Sequence, residues 1–373
     1  MSETYLNKDV IPMLDLKAQY MPIKEKIKSA LKEIIESGQF VLGQNVCSLE
    51  EEIAAYHTVK HGVGLASGTD SLHLCLKALG IKRGDEVITT PFTFIASAES
   101  IAYVGATPVF VDINRDTLNI NVSKIEERIT KKTTAIVIVH LFGQPADMTE
   151  IMEIANKYNL YVIEDCAQAF GAKYKDIPVG SMGDAGCFSF YPSKNLGAYG
   201  DGGMMISNNT DLYKKVMLLR NHGTVGPYEH SFLGYNSRLD EIQAAILRIK
   251  LKQIDEYNQK RRNIAHIYTS ILSDSVFCPV ELPDRSHVYH QYTIQSPSRD
   301  IIKEALSNNS VSSVVYYPLP LHLQQAFQYL HYTEGDFPVS EIASREVLSI
   351  PVYPELEPEQ AEHIAGIIRQ AVT

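Results

Sequence analysis

The pattern of apolar and polar positions divides the chain into three stretches. Residues 23–36 place apolar side chains at helical spacing among charged ones, which predicts an amphipathic helix. From about residue 60, short apolar runs alternate with helical patterns. Residues 70–79 set Leu72, Cys75, Leu76 and Leu79 on one helical face. Residues 86–90 and 107–111 read as strands on either side of a helix at 94–104. The apolar run 135–140, ending in His140, reads as a buried strand. A helix is predicted at 148–158, and strands at 161–165, 185–191 and 203–207. Apolar strands separated by helices of about ten residues predict an α/β architecture, a mostly parallel sheet flanked by helices.

The pattern changes again after about residue 236. Residues 238–272 form one charge-rich helical stretch with room for a single break. Pro-containing segments follow, with shorter strands at 287–295 and 311–317. A chain of 373 residues exceeds the size at which one core usually stops growing. The expected division is a large domain at 1–250, which includes the N-terminal helix, and a smaller α+β domain at 251–373.

Composition narrows the function more than the fold. A formal net charge of −10 argues against broad nucleic-acid binding, which needs a basic surface. It leaves room for a locally basic pocket and a small anionic substrate. Residues 1–15 lack a basic-then-apolar signal pattern, and no uncharged run approaches the ~18 apolar residues of a membrane helix. Cys47, Cys75, Cys166, Cys187 and Cys278 are scattered, as expected of free thiols in a reducing compartment. The expected location is the cytoplasm. The histidines show neither H-x-x-x-H with a carboxylate nor zinc spacing, so no metal site is expected. His140 and His222 read as substrate or hydrogen-bonding residues.

In open α/β sheets ligands gather at the carboxyl ends of the strands. Asp165 ends the run YVIED, and Ser189 lies near the end of AGCFSFY. Lys194 follows in YPSKNLG, ahead of Gly200, Gly202 and Gly203. A partly desolvated lysine there would have a lowered pKa and react with aldehydes, although a plain surface lysine fits the same local sequence. Asp165 suits a protonated ring nitrogen, or simply a turn. Ser67-Gly68-Thr69 suits a phosphate at a helix start, or simply an N-cap.

Together these segments resemble one family. EDCAQAFGAKY (164–174) and GCFSFYPSKNLGAYGDGG (186–203) look like the sugar aminotransferases of the DegT/DnrJ/EryC1/StrS family. These are pyridoxal 5'-phosphate (PLP) enzymes of fold type I. The resemblance continues through ASGTDSLHL (66–74), TPFTFIAS (90–97), HLFGQPADM (140–148), RNHG (220–223), GYNSRLDEIQAA (234–245) and YPLPLHLQ (317–324). It implies that Lys194 is the Schiff-base lysine and proton shuttle. It implies that Asp165 pairs with the ring nitrogen, Gln168 contacts the ring hydroxyl, and Phe94 stacks on the ring. Gly68, Thr69 and Ser189 are implied to hold the phosphate, and Asn236 to reach the phosphate of a neighbouring subunit in a homodimer. Arg220, His222 and Arg238 become candidate diphosphate contacts, while Tyr317 and His322 lie in the segment that the family places over the sugar. The implied reaction moves an amino group from L-glutamate to a nucleotide-linked keto sugar. HLFGQPADM resembles the branch acting at C-3 of a dTDP-3-keto-6-deoxyhexose; the alternatives are amination at C-4 and sugar dehydration. A dehydratase branch of the family replaces the lysine by histidine, and this chain has Lys194.

Overall fold

The computed structural model describes residues 10–372, so of the leader reading on 1–15 the first part, 1–9, lies outside the described residues. A central sheet is built from β1 (His61–Leu65), β2 (Glu86–Thr89), β3 (Thr107–Phe110), β4 (Thr133–Val139), β5 (Tyr161–Asp165), β6 (Ala185–Ser189) and β7 (Gly203–Ser207). Their order is β1-β7-β6-β5-β4-β2-β3. β7 runs antiparallel to both of its neighbours, and the pairs β6-β5, β5-β4, β4-β2 and β2-β3 are parallel.

Alternation along the strands loads both faces. Val137 and Ile163 pack with Leu72, Cys75 and Leu76 of the helix Gly68–Ala78. Ile136, Ile138 and Val162 point the other way, against Ile151 and Ile154 of the helix Met148–Tyr158. Being covered on both sides explains why these strands read as near-continuous apolar runs. In register, Val139 lies opposite Asp165, and Asp165 opposite Cys187. The carboxyl ends of β4 and β5 are therefore level, and β6 runs two residues further, to Ser189.

The strand β1 was not separable from loop in the sequence, because HGVGL carries two glycines and one β-branched residue. Close packing requires one of those glycines: a Cβ on Gly62 would lie 2.7 Å from the Glu50 carbonyl of the helix Gln44–Tyr56.

The charge-rich stretch is two helices, Glu241–Leu251 and Ile254–Leu272. Beyond it, β8 (Tyr292–Gln295) pairs antiparallel with β9 (Val347–Ile350), next to the helices Arg299–Asn308 and Pro358–Val372. Buried residues between Ile264 and Ile368 form their own cluster, against which Ile11 and Leu14 also pack. The strand expected at 287–295 is confined to Tyr292–Gln295, and that at 311–317 reduces to isolated bridges at Val311 and Val314. Pro318 and Pro320 cannot donate to a ladder, and Tyr316, Tyr317 and Pro318 instead line a cavity. All five cysteines are free. Among the described residues no helix is long and apolar enough to cross a membrane.

Candidate active site

Asp165 closes β5 and is 6% exposed. Its Oδ2 accepts from Ser97 Oγ at 2.7 Å and its Oδ1 from the Ala167 N–H at 3.1 Å. Burial pushes its pKa up, while these two donors and the Lys194 charge pull it down. The arrangement is a carboxylate out of bulk water that a neighbouring cationic group would stabilise.

Lys194 lies in the loop after β6 and lines the same cavity as Asp165. Burial lowers its amine to about 8, against the opposing pull of Asp165. An amine so poised has a neutral fraction of about a tenth at pH 7, far more than a solvated lysine.

A third element faces the same space. Ser67 caps the helix Gly68–Ala78 by accepting from the Asp70 N–H at 3.0 Å. The first-turn N–H groups of Gly68 and Thr69 have no acceptor within the helix. Gly68 sits so close to β6 that a Cβ there would meet Ser189 Cβ at 2.6 Å. Only glycine lets the Ser189 hydroxyl and the helix start converge, and the dipole favours an anion at that point.

Gln168 is fixed by two partners. Its Oε1 accepts from the Phe142 N–H at 2.8 Å, and its Nε2 donates to Tyr317 Oη at 3.0 Å. The backbone donor settles which end of the amide is oxygen. Phe94 is 54% exposed, with its ring centroid 6.5 Å from that of Tyr317.

The cavity measures about 690 Å³ and is lined by Gly68, Thr69, Phe94, Asp165, Gln168, Ser189, Lys194 and Tyr317. These are the residues named from the sequence for the cofactor, apart from Asn236, together with one sugar-segment residue. An amine of lowered pKa, a buried carboxylate and a glycine-lined anion cradle fit the aldehyde, ring nitrogen and phosphate of PLP. Also lining the cavity, and not singled out in the sequence, are Tyr191, Asp201, His290, Gln291 and Tyr316. His290 and Gln291 fall in the span read as a plain strand, and no local pattern marks them.

Other expected residues do not line this cavity. Arg220 is 4% exposed, ion-paired with Glu50, and donates to the Gly64 carbonyl at 3.0 Å. Arg220, expected as a diphosphate contact, thus has its charge paired inside the protein and lies off the cavity lining. His322 is 1% exposed, with Nε2 3.1 Å from Glu341 Oε1 and its ring against Phe337. It points onto Glu341 and is off the cavity lining. His222 is exposed at φ 59, its N–H bound to the Tyr235 carbonyl at 2.8 Å. Asn236 is exposed and bridges to Asn221, and Arg238 reaches Asn221 at 3.5 Å.

His140 also has a hydrogen-bonding role away from the cavity. Its Nδ1 accepts from the Ala146 N–H at 3.1 Å, which leaves Nε2 as the donor to Glu164 at 3.0 Å. Glu164 further accepts from the N–H groups of Gly180, Met182 and Gly183. His140, Glu164 and Cys166 are close enough to hold a metal, but the histidine and carboxylate lone pairs are engaged in this junction.

A parallel-rich sheet, a lysine and a carboxylate at adjacent strand ends, and an anion cradle define a PLP-dependent transferase of fold type I. The sequence profile of the DegT/DnrJ/EryC1/StrS aminotransferase family matches residues 22–369. A "pleiotropic regulatory protein" of Geobacillus stearothermophilus is 50% identical over 96% of this chain and 98% of its own. A UDP-N-acetyl-3-dehydro-alpha-D-glucosamine 3-aminotransferase of Acidithiobacillus ferrooxidans is 48% identical, covering 97% and 98%. A dTDP-3-amino-3,6-dideoxy-alpha-D-galactopyranose transaminase of Aneurinibacillus thermoaerophilus is 43% identical, covering 97% and 99%. Streptomyces venezuelae DesV, solved in complex with a ketimine intermediate, superposes with a TM-score of 0.95 at 39% identity, covering 97% and 98%. The chain belongs to the DegT/DnrJ/EryC1/StrS aminotransferase family and is a PLP-dependent nucleotide-sugar aminotransferase.

Proposed function

We propose that this enzyme moves the amino group of L-glutamate to C-3 of a dTDP-linked 3-keto-6-deoxyhexose. The observation that carries the transfer reading is the Lys194 amine, its pKa lowered by burial, facing the same cavity as Asp165 and the Gly68–Ser189 cradle. When bound, PLP supplies an electron sink for the carbon that bears the transferred amine. Lys194 anchors the cofactor and then, as a free amine, takes the Cα proton of the donor and delivers it back. Asp165 keeps the ring nitrogen protonated, and Gln168 orients the ring hydroxyl. Phe94 covers the ring face. Gly68, Thr69 and Ser189 take the phosphate, with Asn236 supplied by the other chain of a homodimer. Tyr317 faces the sugar. His222 contacts the diphosphate from outside its own chain's cavity.

The C-3 assignment draws support from HLFGQPADM (140–148) and from the two relatives above whose names place the amine at C-3. One of these names a UDP sugar and the other a dTDP sugar, so the base is the finer part of the proposal. The division of the chain near residue 250 is supported by the separate buried cluster between Ile264 and Ile368. A cytoplasmic location suits an enzyme with free thiols and soluble substrates.

The test offers the 3-keto and 4-keto isomers on dTDP and on UDP, each with L-glutamate, and locates the new amine by NMR. Fastest amination of the dTDP 3-keto sugar is expected. Preference for the UDP sugar replaces the base alone, and an amine at C-4 rejects the C-3 assignment.

A further inference from the structure

The cavity must receive two chemically different guests in turn, and its lining suits one of them poorly. A keto sugar offers hydroxyls. The amino donor brings carboxylates, which in protein sites are usually met by arginine. No arginine lines the cavity among the described residues, and its only lysine is Lys194, which the reaction itself occupies. The donor's α-carboxylate therefore needs neutral N–H or O–H groups, or a cation from another chain.

His290 is built for this. It lines the cavity, is 6% exposed, and its ring makes no hydrogen bond among the described residues. Its Nδ1 is sealed from solvent without a partner, which leaves Nε2 as the nitrogen facing the cavity. A sealed N–H with no acceptor is rarer and more costly than a sealed lone pair, so the proton belongs on Nε2. Burial, then the Lys194 and Arg261 charges, hold the ring well below its ordinary pKa, so it presents a neutral donor.

The backbone around it is held. Arg261 is 2% exposed and donates to the carbonyls of Tyr289 at 3.2 Å and Val352 at 2.6 Å. The Val288 N–H donates to the Gly143 carbonyl at 3.0 Å. A Cβ on Gly143 would lie 3.1 Å from the His290 N, so the two segments touch. His290 is thus fixed on both sides before any guest arrives, which lowers the ordering cost of binding.

We propose that His290 receives the α-carboxylate of the amino donor through its Nε2–H, making it a donor-binding residue of the first half-reaction. This rests on the proposed use of an amino acid donor, and the test separates the two. The holoenzyme is mixed with L-glutamate or with 4-aminobutanoate, which is glutamate without its α-carboxylate, and conversion of the cofactor is followed in a single turnover. The wild type is expected to prefer L-glutamate. In His290→Phe, which keeps a flat ring and removes the donor, that preference should shrink roughly ten- to a hundredfold, the worth of one hydrogen bond to a charged group. His290→Asn, which retains an N–H, should fall between. Calorimetric binding of 2-oxoglutarate should weaken in the same order, and half-saturation by the keto sugar should change at least tenfold less than that by L-glutamate. An unchanged preference in a folded, cofactor-loaded His290→Phe enzyme overturns the assignment. Equal weakening of both half-reactions also overturns it. Absence of conversion by L-glutamate in the wild type removes the donor reading, and this inference with it.

Discussion

Two regions of this molecule treat their functional groups in opposite ways. In the catalytic cavity, Asp165 and Gln168 are buried and each holds two hydrogen bonds from its own chain. The excursion 221–236 is the reverse. Its hairpin, Thr224–Gly226 with Glu229–His230, carries Val225 and, at 98% exposure, Tyr228, and the segment that follows carries Phe232 and, at 93%, Leu233. Large apolar side chains held in water on a short excursion suit the interface of the proposed homodimer. On the proposed homodimer, the first region is finished by folding and the second by association. If so, damage to the cavity should be confined to the chain that carries it, and damage to the excursion should appear in the partner's site.

The largest effect that would break this contrast is at Lys194. Lys194→Ala should lose roughly 10⁴-fold or more in turnover and the borohydride-trapped adduct altogether, because nucleophile and base vanish together. Full transfer by that variant would sink the central assignment. Asp165→Asn is nearly isosteric and should fold, yet slow Cα proton removal by roughly a hundredfold or more, read by single-turnover kinetics with L-glutamate. Near wild-type rates would show that another group sustains the ring charge.

Asn236→Ala tests the second region. It should lower activity, and mixing it with Lys194→Ala should restore part of it through hybrid dimers that keep one intact site. No recovery on mixing would place Asn236 in its own chain's site. Leu233→Asp should weaken self-association about tenfold or more in sedimentation, since a charge would enter a covered apolar patch. An unchanged sedimentation profile would mean that the excursion stays in solvent.

The smallest effect sharpens the cavity side. In the apoenzyme, capture of a small aldehyde by Lys194 should rise with pH and level off above about 8, because only the neutral amine reacts. Asp165 is the group that raises this pKa, so Asp165→Asn should move the plateau to lower pH. A plateau near that of free lysine would mean that Lys194 is solvated.

The sheet was legible because its strands are buried on both faces and its helices keep a clean apolar stripe; residues 148–158, 161–165 and 203–207 match the observed elements at both ends. That Gly68, Thr69, Phe94, Asp165, Gln168, Ser189 and Lys194 share one cavity was legible through a resemblance that runs nearly the length of the chain. What sequence does not display is who already holds a charge. Arg220 invites a diphosphate until Glu50, 170 positions away, is seen against it. His322 sits five residues after Tyr317 but is turned onto Glu341. His290 was passed over for the converse reason: its value lies in having no partner, which only the packed structure reveals.

The Arg220–Glu50 pair has a consequence for the excursion that follows it. The Ser237 N–H binds the Arg220 carbonyl at 2.9 Å and the Tyr235 N–H binds the Leu219 carbonyl at 2.7 Å, so both legs of the excursion are tied at its root. Mechanically this is a cantilever, clamped in the interior and free at its tip. The tip can meet another surface at a set angle with little freedom to lose. Substitutions at the tip can then retune what it touches without moving the beam, whereas loss of the clamp would let the whole arm swing.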